Sequence, residues 1–205
     1  MLKIWGRKNS VNVKKALWAL EELKLPYERT DAGLQFGVVN TPEYRKLNPN
    51  GLVPTIDDNG FILWESHAIV RYLAAKHGAG SLWPTEHRVR ADADRWMDWA
   101  ITFAAALRPV FWNLIRTPAE KRDLKAIEDG TQKAGELAAY VDAPLAAHPY
   151  IAGDALTMGD IPIGCHLQIW LNLDIARPAV PNLEAWYRRL RTRPAYTKIV
   201  DTPLS

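Results

Sequence analysis

Cysteine is almost missing from this chain: Cys165 is the only one among 205 residues. An internal disulfide is impossible, and there is no Cys-x-x-Cys pair to run a dithiol cycle. Any thiol chemistry must use a thiol carried in by a small molecule. Nothing in the cysteine usage points to an oxidising compartment. Long apolar runs are absent too. The leading segment Leu2-Lys3-Ile4-Trp5 is too short for a signal peptide, and no stretch approaches a membrane span. A cytoplasmic protein with no membrane partner is expected. There is little excess charge of either sign, a formal +3, so no nucleic-acid partner is implied. The basic run from Arg188 to Arg193 reads as the solvated face of a helix. The five histidines show no metal-ligand spacing, so no metal is expected.

Tryptophan is abundant, with nine residues. They can fill a large core and line an apolar pocket. The first part of the chain alternates strand and helix signals. Leu2 to Trp5 reads as a strand. Apolar residues at Ala16, Leu17, Leu20 and Leu23 have the spacing of a helix with one buried face. Tyr27 to Thr30 returns as a second strand, which favours parallel pairing. Thr41-Pro42-Glu43 reads as a helix start and Asn48-Pro49-Asn50-Gly51 as a turn. Residues 53–57 and 61–64 flank Asp58-Asn59-Gly60 and predict an antiparallel hairpin. Glu65 and Ser66 then open a helix that ends near His77.

Residues 78–84 read as a linker. Beyond them the strand signals vanish. Residues 86–116 predict one long helix and 119–147 one or two more. Thr157 and Asp160 have the spacing of a capping box, with Leu156 and Ile161 placed as a hydrophobic staple. The last helix is expected from Asn182 to Arg193, stopped by Pro194.

Three loops hold candidate chemistry. Val53-Pro54 precedes a hairpin strand, where a proline is ordinarily a trans turn residue. Glu65-Ser66 is either a helix cap or a carboxylate site made of N–H groups and a hydroxyl, with Glu65 toward an ammonium. The loop from Gly6 to Asn12 lies at the C-terminal end of the first strand, where open α/β sheets bind ligands. Asn9, Ser10 or Asn12 there can donate to a sulfur at the helix start. Ser10 or Asn12 can equally be a plain cap.

Together these segments resemble the glutathione transferase superfamily along nearly the whole chain. The landmarks include Asn48 to Thr55, Trp64-Glu65-Ser66-His67-Ala68-Ile69 and Tyr72-Leu73. They continue with Gly153-Asp154 before the Thr157–Asp160 box, Pro181-Asn182-Leu183, Trp186 and Arg193-Pro194. The resemblance is to the bacterial theta- and nu-like cytosolic enzymes. It implies an α/β thioredoxin-like N-terminal domain (residues 1–77) followed by an all-α helical domain (residues 85–205), and a homodimer. In thioredoxin-like folds a cis-proline at the third strand turns backbone groups outward to pair with a peptide ligand.

The resemblance further implies glutathione as cosubstrate. Val53 would pair with its cysteinyl backbone, Pro54 and Asn9 would line the glutathione site, and Glu65 and Ser66 would hold the γ-glutamyl group. In the first loop, Arg7 falls where insect-type and theta-like enzymes carry a serine, and Asn9 near the cysteine of beta-like enzymes. Ser10 and Asn12 look like the Thr/Asn pair of nu-like enzymes. The expected catalytic residue is Ser10, with Asn12 second. A small hydrophobic electrophile would lie against Phe103, Leu107, Phe111 and Trp112, each of which helical spacing also allows as ordinary core. The expected function is glutathione transfer in detoxification. Disulfide or peroxide reduction and a non-catalytic binding module are the alternatives, and retention of Glu65-Ser66 favours an enzyme.

Overall fold

A computed structural model describes residues 1–205, which divide into two compact units, Met1–Trp83 and Pro84–Ser205. The first unit runs β1 (Leu2–Trp5), α1 (Val11–Glu22), β2 (Tyr27–Thr30), α2 (Pro42–Leu47), β3 (Thr55–Asp58), β4 (Phe61–Trp64) and α3 (Ser66–His77). The sheet order is β2-β1-β3-β4. The β1–β2 pair is parallel, as a β-α-β crossover demands, and the other two pairs are antiparallel. The β3–β4 hairpin closes on Asn59 and Gly60, both at positive φ, the geometry that an Asn-Gly turn supplies. Thr41 accepts from the Tyr44 N–H at 3.2 Å and so caps α2, with Pro42 at its first position.

β3 begins at Thr55, not at Val53, and the Val53–Pro54 peptide ahead of it is cis. α1 is buried over every residue from Val13 to Leu20, more than the one face that its apolar spacing predicts. It lies against α3. Ile4, Leu17, Leu20, Ile56, Ile69 and Leu73 form the centre of this unit.

The second unit is helical: α4 (His87–Phe111), α5 (Leu124–Leu145), α6 (Asp160–Asn172), α7 (Pro181–Leu190) and α8 (Pro194–Ile199). Residues 112–116 continue α4 as a wider π-type turn, just past Pro109. α6 is buried all round from Asp160 to Trp170 and packs on α4 and α7. Asp160 is fully buried. Its carboxylate accepts from the Thr157 N–H at 2.9 Å, the Thr157 hydroxyl, the Ile151 N–H and Trp186 Nε1 at 3.0 Å. Burial pushes its pKa up to about 6, with those donors pulling the other way. Thr157 in turn accepts from the Gly159 N–H, and Leu156 and Ile161 are both buried. The preceding helix stops at Leu190, short of the expected Arg193, so Pro194 does not end it. Pro194 is instead the first residue of α8, where a missing N–H costs nothing. No helix is long and apolar enough to cross a membrane.

Candidate functional site

Strand register decides which loops meet. Trp5 pairs with Thr55 and Thr55 with Trp64. The loop leaving β1, the segment entering β3 and the turn leaving β4 therefore emerge at one end of the sheet, on three adjacent strands. Two strand spacings make that end about 10 Å wide, which is the length of an extended tripeptide.

Each segment offers polar groups that the protein leaves unused. Ser10 is the N-cap residue of α1, yet its side chain makes no capping bond. Its backbone N–H goes to the Arg7 carbonyl at 3.2 Å, and only 7% of the residue is exposed. The first turn of α1 holds no acidic residue, so nothing there cancels the positive helix end. Asn12 is exposed on that turn, and its Oδ1 accepts from Lys15 Nζ at 2.9 Å. Asn9 is half-buried in the loop.

Val53 lies outside the strand ladder, and no other group of the protein takes up its N–H or C=O. Val53 is joined by a cis peptide to the buried Pro54. Behind it a buried network fixes the turn: Asn48 Nδ2 and the Tyr44 hydroxyl both donate to the Leu52 carbonyl, at 3.0 and 2.6 Å, and both meet the Thr55 hydroxyl.

Glu65 occupies the N-cap position of α3 at φ 70 and ψ 114, a region that L-residues rarely adopt. Its side chain makes no capping bond. Ser66 is the first residue of α3 and is 6% exposed. Its hydroxyl has no bond to protein, and the N–H groups of Ser66, His67 and Ala68 have no acceptor within the helix. Neither serine acts as a side-chain cap.

Sequence reading gave no role to three neighbours. A Cβ on Gly33 would meet an Arg7 guanidinium nitrogen at 3.1 Å and a Val53 methyl at 3.4 Å, so the Arg7 head lies beside the cis-proline turn. Lys15, only 3% exposed, reaches His67 Nε2 at 3.0 Å. Two adjacent lysines, Lys14 and Lys15, fall in the buried stretch of an otherwise apolar helix. That unusual placement was the available signal.

In the helical unit, Phe103 and Leu107 are 1% and 2% exposed. Phe103 stacks on Trp99 and meets Trp170 edge-on. These two are core, the alternative that helical spacing left open. Phe111 is half-buried and Trp112 is exposed. The Arg116 guanidinium lies over both rings, at 5.2 and 4.9 Å. Trp112, Arg108 and Pro109 line an open depression of about 350 Å³.

Comparison with known proteins gives one answer throughout. Residues 9–76 match the glutathione S-transferase N-terminal domain and residues 100–194 the C-terminal domain. The chain is 45% identical to glutathione S-transferase GstB of Escherichia coli strain K12, over all of both chains. It is 29% identical to glutathione S-transferase 1 of Zea mays, covering 97% of this chain and 95% of that one. The theta-class glutathione S-transferase of Xanthomonas axonopodis pv. citri, solved with glutathione bound, superposes with a TM-score of 0.96. That pair shares 49% identity, over 100% of this chain and 99% of that one. Two family domains in order, on a thioredoxin-like α/β unit and a helical unit, make this chain a member of the glutathione S-transferase family.

Proposed function

We propose that this protein is a glutathione transferase that holds glutathione along the open end of its sheet and activates the sulfur at the start of α1. The carrying observation is the set of unused polar groups on three adjacent strands: the Ser10 hydroxyl, the Val53 backbone pair and the Ser66 hydroxyl with its helix N–H groups. Their order along the sheet end matches the order of the γ-glutamyl group, the cysteinyl backbone and the sulfur. Ser66 and the α3 N-terminus take the γ-glutamyl carboxylate, and the Glu65 carboxylate takes the ammonium on the same carbon. Val53 pairs with the cysteinyl N–H and C=O like an added strand. The sulfur then faces α1.

Magnitudes favour this assignment. A free thiol titrates near 8.5, so about 3% is thiolate at pH 7. Lowering that pKa by about two units needs roughly 2.7 kcal/mol of preference for the anion. One donor to a charged acceptor supplies roughly 1.5–3 kcal/mol, and a helix N-terminus adds up to about 1–2. Ser10 or Asn12 together with α1 is therefore sufficient. The thiol proton leaves to water. The thiolate pair attacks the electrophilic carbon, forming the C–S bond as the leaving group departs.

Retention on immobilised glutathione, and conjugation of a nitroaromatic halide, test the reading. Ser66→Ala should weaken glutathione binding roughly tenfold to a hundredfold. Unchanged affinity would remove Ser66 from the site.

A further inference from the structure

A short hydrogen-bonded chain ties the first turn of α1 to the first turn of α3. Lys15 Nζ donates to Asn12 Oδ1 at 2.9 Å and to His67 Nε2 at 3.0 Å. Lysine has no acceptor atom, so the imidazole accepts at Nε2. Lys15 is almost wholly buried, although a lysine stem is long enough to carry its charge to water. Its head instead turns to two groups at the edges of the proposed site. Asn12 is a candidate for the sulfur contact, and His67 follows Ser66 directly.

An amide side chain is nearly symmetric in shape, and its two ends have opposite effects on an anion. An oxygen turned toward a thiolate repels it, whereas an NH2 group donates to it. Because Lys15 can only donate, the Asn12 atom facing it is the oxygen. Nδ2 is then the end turned away, exposed and without a protein acceptor.

We infer that Lys15 is a positioning residue for thiolate activation. It locks the Asn12 amide with its NH2 group outward as the donor to the glutathione sulfur, and it places a positive charge one hydrogen bond behind that donor. His67 fixes the Lys15 head from the α3 side and so couples the sulfur end of the site to the γ-glutamyl end. This inference rests on the glutathione reading above. A unit charge on the order of 7 Å from the sulfur lowers its pKa by roughly one to two units at the effective dielectric of a protein site.

The test is the pKa of the bound thiol, read by ultraviolet thiolate absorbance against pH, alongside the affinity for S-methylglutathione, whose sulfur cannot ionise. Lys15→Met keeps the apolar stem and removes the charge. Lys15→Gln does the same with a polar end and serves if the first variant does not fold. Either should raise the pKa of bound glutathione by about a unit or more while S-methylglutathione still binds within a few-fold of wild type. Lys15→Arg, which also only donates, should restore most of the shift. A thiol pKa unchanged in Lys15→Met but raised in Asn12→Ala would overturn the role of Lys15 and leave the glutathione reading standing. Equal loss of glutathione and S-methylglutathione affinity would reduce Lys15 to a structural part. A pKa unchanged in Asn12→Ala would remove Asn12 from the sulfur and the inference with it. Failure of wild type to bind either compound would sink the glutathione reading itself.

Discussion

Glu65 stands at φ 70 and ψ 114 with no capping bond to reward it. Such a conformation costs about 1–3 kcal/mol for a residue with a Cβ. Glycine would adopt it without strain, at an entropy cost of about 0.5–1 kcal/mol. Stability alone does not account for a glutamate at this position, and the proposed ammonium contact would. Glu65→Gly should raise the urea midpoint by the equivalent of about 1 kcal/mol while weakening glutathione binding. A variant that loses stability would show that the carboxylate supports the fold. Ser10 and Ser66 tell a related story. In sequence each is an ordinary helix-start serine, and a cap was an open reading for both. The structure shows neither side chain capping, because Ser66 lies one position inside α3 and the Ser10 side chain makes no bond to the first turn.

Among the elements, β3 and α3 are joined by a charged tie. Asp58 accepts from the Tyr72 hydroxyl at 2.7 Å and from Lys76 Nζ at 2.5 Å. The Lys76 ammonium, and then the Tyr72 hydroxyl, hold the Asp58 carboxyl below the usual aspartate range. A folded-state pKa below the unfolded one stabilises the protein above the unfolded value, near 3.9, and that contribution is lost as pH falls through the folded pKa. Urea midpoints measured from neutral pH into acid should therefore fall more steeply for wild type than for Asp58→Asn, the two curves converging toward low pH. Parallel curves would show that the tie contributes nothing.

Local signals made many of these elements legible. The Asn59-Gly60 turn, the Thr41-Pro42 helix start and the Thr157–Asp160 box each act over a few residues, so the chain carries them in plain order. Pro194 reads as a helix stop but opens α8, because a proline can follow one helix and begin the next. The π-type turn at residues 112–116 has no spacing signature in the sequence. The contact between Lys15 and His67 spans 52 residues. Only the packing of α1 on α3 creates it, so residue order gave no hint of it.

On the scale of the whole chain, the proposed glutathione site draws on one unit alone. The α/β unit brings its candidate polar groups to one end of a four-stranded sheet. The helical unit carries the aromatic surface at Phe111 and Trp112, with Phe103 withdrawn into its core. The family is fixed by two matched domains and by full-length similarity to glutathione S-transferases. The central claim about this chain is narrower: the glutathione sulfur lies at the start of α1. A crystal structure with glutathione soaked in tests it most directly. The account predicts the sulfur within hydrogen-bond reach of Ser10 Oγ or Asn12 Nδ2, about 3.0–3.5 Å, with the cysteinyl backbone paired to Val53. Glutathione bound elsewhere, or with its sulfur turned away from α1, would contradict it.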